Sequence, residues 1–161
     1  MEYQIDGLPL HVLLVHATVV FVPLAALCTV LSVVWPAARR RLGIVTPLLA
    51  LLALVLVPLT QQAGNWLAER VEQTRLVDEH QALADQMLPW AAALFAVAAG
   101  QWLWFRFRRS RAGRRGAGQR VLAVIGVLIA LAVSAGTTAM IIQVGESGSR
   151  AVWQGSFQQD P

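Results

Sequence analysis

Apolar residues occur along this chain in four long stretches separated by short polar or basic segments. Each stretch is close to the roughly 20 residues that a helix needs to cross a bilayer. The segment from Trp66 to Asp85 is charged but keeps a helical spacing of apolar residues, which predicts an amphipathic helix or helical extensions of the neighbouring spans. We place the four spans at about 8–35, 42–60, 83–105 and 121–144, followed by a polar tail at 145–161.

The pattern therefore predicts an all-α fold, a bundle of four transmembrane helices that forms a single domain over residues 1–161. Composition agrees, because 57% of the residues are hydrophobic and only 14% are charged, whereas soluble domains carry about 25% charged residues. The acids Glu2 and Asp6 precede the first span, which argues against a cleaved secretory leader. The single cysteine, Cys28, cannot form a disulfide within the chain.

The distribution of charge predicts an orientation. Ten of the 13 arginines lie in the segments that follow spans one and three, and all nine acids lie elsewhere. Under the positive-inside rule this places both termini and the Trp66–Asp85 segment outside a bacterial inner membrane, with the arginine-rich loops against anionic lipid head groups in the cytoplasm. The pI near 11 does not indicate a nucleic-acid partner, because the basic residues adjoin membrane spans.

Three histidines are the candidate functional residues, and this topology puts His11, His16 and His80 on the outer side. Ionisable side chains at membrane depth are costly and mark functional sites. His11 and His16 point about 140° apart on one helix, so one ion cannot easily bind both. Either two histidines from different helices are axial ligands of a b-type haem, or histidines and carboxylates bind copper or zinc. Ordinary hydrogen bonding to water, head groups or neighbouring helices is the plain alternative.

Other features of the sequence favour structural roles. Ser134 and Gly136 belong to a face of small residues on the fourth span, which suits close packing of helices. Asp78 and Asp85 flank His80, where a carboxylate can fix the tautomer of the ring. The chain has no phosphate-binding loop, catalytic triad, zinc-protease pattern or cysteine pair. We therefore do not expect it to be an enzyme on its own.

Three stretches together resemble one family, the bacterial four-helix membrane proteins grouped as domain of unknown function 2231. The resemblance covers nearly the whole chain, and it implies an integral inner-membrane protein whose recurring histidines suggest a haem or metal role. Some relatives look fused to Rieske-type iron–sulfur domains, which implies electron transfer with a membrane redox partner. The stretches are Leu8-Pro9-x-His11-x-x-x-x-His16, Glu79-His80-x-x-Leu83-x-Asp85-x-x-Leu88-Pro89 and Gly145-x-Ser147-Gly148-x-x-Ala151-Val152-Trp153.

The chain departs from the family pattern at one position. Relatives usually have a histidine after the glycine that closes span four, and here that residue is Glu146. A carboxylate can bind zinc or copper but is an unusual haem ligand. One haem, a mixed histidine and glutamate metal site, and a site without cofactor all stay open.

The leading hypothesis is a small membrane redox or metal-binding protein. We expect His16 and His80 to be the main ligands, with His11 and Glu146 as secondary ligands. The alternative is an accessory or structural subunit that packs against a larger membrane complex through the face containing Ser134 and Gly136. A narrow transporter is a third, weaker option.

Overall fold

The computed structural model describes residues 3–5, 7–108 and 117–154. Most of the basic loop expected after the third span, residues 109–116, lies outside the described residues, as do Glu2, Asp6 and residues 155–161. The elements are β1 (Gln4–Ile5), β2 (Leu8–Pro9), α1 (Leu10–Val34), α2 (Pro36–Leu42), α3 (Val45–Ala68), α4 (Arg75–Asp85), α5 (Met87–Arg108) and α6 (Ala117–Trp153).

Four helical segments are long and apolar enough to cross a membrane, namely α1, α3, α5 together with the preceding α4, and α6. This confirms the predicted all-α bundle of four transmembrane helices. Helix α1 packs against α3 and α6, and α5 closes the bundle by packing against the same two helices. We call the end where α1 begins, α3 ends and α6 ends the histidine end. The opposite end, with α2 and the end of α5, is the arginine end.

Small residues line the core between the helices. Lipid is as apolar as leucine, so close contact between backbones replaces the hydrophobic effect as the force that packs helices in a membrane. Alanines make up much of the core, and larger side chains such as Leu94 and Val57 fill the remaining space. The fully or almost fully buried alanines among the described residues are Ala25, Ala26, Ala50, Ala53, Ala63, Ala91, Ala98 and Ala130.

The face of small residues on α6 packs inside the bundle. Ser134 is buried, and a Cβ atom built on Gly136 would lie 2.3 Å from the ring of Trp90 on α5. The hydroxyl of Thr137 donates to the carbonyl oxygen of Val133 in its own helix. The prediction of close helix packing at this face is therefore confirmed, and the helix that it contacts is α5 of the same chain.

The basic segment after α1 is helical, although the sequence predicted a loop. Proline disfavours helical backbone in the preceding residue, so Trp35 is extended and ends α1, while Pro36 begins α2. The guanidinium of Arg39 donates from Nε to the carbonyl oxygen of Ser32 and from Nη2 to that of Val33. These carbonyls belong to the last turn of α1, where no later amide of the helix donates to them. Arg39 therefore holds α2 against the end of α1.

Helix α6 is longer than the expected span. It continues through Gly145 to Trp153, where the sequence predicted a polar tail. Glu146 and Arg150, one turn apart, form an exposed ion pair that suits a helix surface. The charged segment predicted between spans two and three belongs to two helices. Helix α3 continues to Ala68, and α4 is a separate amphipathic helix capped by Thr74.

Candidate functional site

The imidazole of His11 reaches from the first turn of α1 to the backbone of α3. Its Nδ1 lies 3.0 Å from the carbonyl oxygen of Thr60. A carbonyl only accepts hydrogen bonds, so Nδ1 carries the ring hydrogen and Nε2 keeps its lone pair. Gly64 makes this approach possible, because a Cβ atom there would lie 3.0 Å from both Nδ1 and Cε1 of the ring.

Thr60 also ties α1 to α3 through its side chain. Its hydroxyl lies 2.8 Å from the hydroxyl of Thr18, and both side chains are buried. Nearby, the side-chain amide of Gln61 donates to the carbonyl oxygen of Ala84 at the end of α4, 2.6 Å away. These bonds fix the position of the Thr60 carbonyl relative to both α1 and α4.

His80 is held on α6 in the same manner. Its Nδ1 lies 2.9 Å from Oγ of Ser147, and that hydroxyl donates to the carbonyl oxygen of Val144, also at 2.9 Å. A hydroxyl has one hydrogen, so Ser147 accepts from Nδ1–H of His80 and leaves Nε2 of that ring with its lone pair. A Cβ atom on Gly148 would lie 3.0 Å from Cε1 of the same ring.

The two rings lie at the same end of the bundle. His11 packs against Gly64 near the end of α3. On α4, the side-chain amide of Gln81, the residue after His80, donates to the side-chain carbonyl of Asn65, the residue after Gly64. The structure therefore places His11 and His80 at the histidine end.

His16 lies apart from this pair. Its side chain is exposed on the outside of α1, and its Nδ1–H donates to the carbonyl oxygen of Val12 in the same helix, 2.5 Å away. The sequence predicted His16 and His80 as the main ligands. The structure places the ring of His11 against α3 at the histidine end, whereas the ring of His16 bonds to the backbone of its own helix. The reason is the expected divergence of about 140° between His11 and His16 on α1.

The carboxylates expected at the site have other positions. Glu146 is exposed, and its carboxylate lies 3.6 Å from the guanidinium of Arg150. Asp78 and Asp85 are exposed on α4, and the hydrogen-bond partner of His80 is Ser147. Within the described residues, no group of three or more His, Cys, Asp or Glu side chains is arranged to hold a metal ion.

The sequence alone did not predict which residues position the two rings. They are Thr60, Gly64, Ser147 and Gly148. A signal for part of this set was present, since Ser147-Gly148 belongs to one of the three family-like stretches. Nothing in the sequence paired either glycine with a particular histidine, because each contact joins different helices.

We expect Gly148→Ala to displace the ring of His80. The new methyl group would lie 3.0 Å from Cε1, closer than ordinary van der Waals contact, whereas a methyl group on Gly145 meets no atom within 4 Å. In ¹⁵N-histidine-labelled protein, Gly148→Ala should shift the ring signals of His80, and Gly145→Ala should leave them in place. Equal shifts in the two variants would contradict the contact.

Comparison with known proteins identifies the family of this chain. A family described as "Predicted membrane protein (DUF2231)" matches residues 7–161. No curated protein and no solved structure matched the chain. The match covers all four apolar helices and both histidines of the pair. The chain therefore belongs to the domain of unknown function 2231 family of membrane proteins.

Proposed function

We propose that the protein is a small membrane redox protein that binds a b-type haem through Nε2 of His11 and Nε2 of His80. One observation carries this proposal: Nδ1 of each ring lies within hydrogen-bond distance of an oxygen of a neighbouring helix. Donation from Nδ1–H to that oxygen leaves both Nε2 lone pairs available. Metal-bound histidines in proteins ordinarily have this arrangement, because the second hydrogen bond orients the ring and raises its basicity.

A bound haem would be held by His11 and His80 and would supply one-electron transfer. In this chain the carbonyl of Thr60 and the hydroxyl of Ser147 would hold the two rings in the tautomer that ligation requires.

The donor set favours haem over the other metals considered. Two imidazoles complete the axial ligands of a haem but supply only half of a tetrahedral zinc site. Blue-copper redox sites add a thiolate to two histidines, and Cys28 is buried in α1, far along the chain from His11. The exposed ion pair of Glu146 likewise does not favour a mixed histidine and glutamate site.

The orientation in the membrane is part of the proposal. The described acids lie at the histidine end, and Arg39, Arg40, Arg41 and Arg106 lie at the other. By the positive-inside rule the arginine end would face the cytoplasm, and both termini would lie outside the inner membrane. Electrons would then be exchanged at the outer surface with a membrane redox partner.

Optical spectra and elemental analysis of the same sample test the proposal. The protein would be purified in detergent from cells supplemented with haem precursor, copper and zinc, and spectra recorded after oxidation and after reduction. We expect a Soret band, sharp bands on reduction and one iron per chain. Stoichiometric copper or zinc without these bands, or no cofactor at all, would reject haem binding.

The structure does not favour the accessory-subunit hypothesis in the form that the sequence suggested. That hypothesis needed Ser134 and Gly136 on an outward face of the bundle. Ser134 is buried inside the bundle, and Gly136 lies against Trp90 of α5. Bulky substitutions there test the fold of the protein itself.

A further inference from the structure

A cavity of about 490 Å³ lies at the arginine end, the opposite end of the bundle from the histidine pair. The end of α1, the helix α2, the start of α3 and the end of α5 line it. Ligand-binding cavities in proteins typically have volumes of about 300–1,000 Å³. The cavity is therefore large enough for a small ligand or a lipid head group.

The lining of the cavity is strongly positive. Arg39, Arg40 and Arg106 all line it, and no acidic residue does. A concave surface with charge of one sign raises the local concentration of the opposite ion. The acids that the structure describes all lie toward the histidine end, at Glu69, Glu72, Asp78, Glu79, Asp85 and Glu146.

One polar side chain in the wall has no hydrogen-bond partner. Both Nε2 and Oε1 of Gln101 are buried without a partner among the described residues, and Gln101 lines the cavity. Buried amide groups are almost always paired, and an exception points to an ordered water, an ion or a ligand. A ligand that satisfies Gln101 must offer both an acceptor for the NH₂ group and a donor for the carbonyl oxygen.

The remaining wall is rigid and partly aromatic. The guanidinium carbon of Arg39 lies 3.7 Å from the ring centre of Phe105, and Arg39 also donates to two carbonyls at the end of α1. The hydroxyls of Ser32 and Thr46 lie 3.1 Å apart and tie α1 to α3 beside it. Trp102 adds a second aromatic side chain, of the kind enriched where lipid head groups meet hydrocarbon.

We propose that this cavity binds a glycerophosphate group, with the head group of phosphatidylglycerol as its occupant. The phosphate would be neutralised by Arg40 and Arg106, and its oxygens and the glycerol hydroxyls would supply the acceptor and the donor that Gln101 lacks. A soluble phosphate ester such as glycerol 3-phosphate has the same chemistry. The aromatic wall at the end of apolar helices favours the lipid.

Native mass spectrometry of the full chain in detergent, titrated with phosphatidylglycerol or phosphatidylcholine, tests this site. The cavity variant is Arg40→Gln with Arg106→Gln. The control is Arg41→Gln with Arg120→Gln, which removes the same charge from neighbouring exposed arginines that do not line the cavity. We expect the wild type and the control to bind one phosphatidylglycerol preferentially, and the cavity variant to bind it at least about tenfold more weakly.

Gln101→Leu supplies a second readout that does not alter charge. Removing a buried amide without a partner should leave the lipid-free protein equally or more stable. The stabilisation against heat that phosphatidylglycerol confers should decrease, because the ligand loses both contacts to the amide. A purely structural role for Gln101 would instead lower stability with and without lipid.

The other outcomes are also decisive. Displacement of the lipid by millimolar glycerol 3-phosphate, with retained dependence on Arg40 and Arg106, would assign the same cavity to a soluble phosphate ester. Equal binding of the two lipids by the wild type would overturn the proposal. Equally weakened binding of phosphatidylglycerol in the cavity variant and the control variant would also overturn the proposal, because general surface charge would then explain the loss.

Discussion

Replacing His80 with alanine is expected to abolish haem binding. The substitution removes one of the two imidazoles that would hold the haem. His11→Ala should have the same effect, because the two rings come from different helices and each would supply one ligand. We expect at least about a tenfold loss of haem content relative to the wild type, measured from the Soret band per chain.

His16→Ala is the matched control for this prediction. His16 lies on the same helix as His11 but is exposed on the outside of the bundle. The His16→Ala protein should retain a wild-type spectrum. His80→Met should recover part of the binding with a higher reduction potential, because methionine is an axial ligand that raises the potential of haem iron. Loss of haem in His16→Ala with retention in His80→Ala would contradict the assignment.

Gly136→Ala is expected to destabilise the bundle strongly. The added methyl group would lie 2.3 Å from the ring of Trp90, and the half-buried indole has to move to make room. Overpacking of this kind typically costs about 1–3 kcal/mol. Unfolding by dodecyl sulfate, followed by tryptophan fluorescence, measures the loss.

Two further variants separate overpacking from other effects. Gly126→Ala adds the same methyl group to the same helix where it meets no atom within 4 Å, so its effect should be within about 0.5 kcal/mol or stabilising. In a Trp90→Ala background the methyl group at 136 should no longer be harmful, which a double-mutant cycle detects. Equal destabilisation by Gly126→Ala and Gly136→Ala would show that loss of glycine itself is responsible.

The four spans could be predicted from the sequence because hydrocarbon imposes a simple rule on composition and length. The ends of the helices were less predictable. Trp35 and Pro36 separate α1 from α2, but the contacts that keep α2 helical come from Arg39 folding back onto α1. Helix α6 continues past Gly145 where α4 packs against it, a contact that helical periodicity alone does not reveal.

The candidate site was predictable only as a set of residue types at one end of the bundle. The angle between His11 and His16 already indicated that they could not share a ligand. Which of them lies beside His80 depends on how α1 is rotated about its axis within the bundle. That rotation is fixed by contacts between helices, such as the bond between the hydroxyls of Thr18 and Thr60, and no pattern within one helix determines it.

The glycines illustrate the same limit. Gly64 and Gly126 are both helical glycines, and the sequence does not show which of them a neighbouring side chain approaches. In the structure Gly64 has the imidazole of His11 against it, whereas Gly126 has no atom near its missing side chain. A glycine acquires its role from the side chain on the neighbouring helix.

The measurement that tests the account most directly is ¹⁵N nuclear magnetic resonance of the histidine rings in cofactor-free His16→Ala protein above pH 7. Only His11 and His80 then contribute signals. In the neutral form of each ring we expect the hydrogen on Nδ1 and an unprotonated Nε2, and we expect added haem to change both Nε2 signals. Hydrogens on Nε2 of either ring, or Nε2 signals that haem leaves unchanged, would contradict the histidine-pair site.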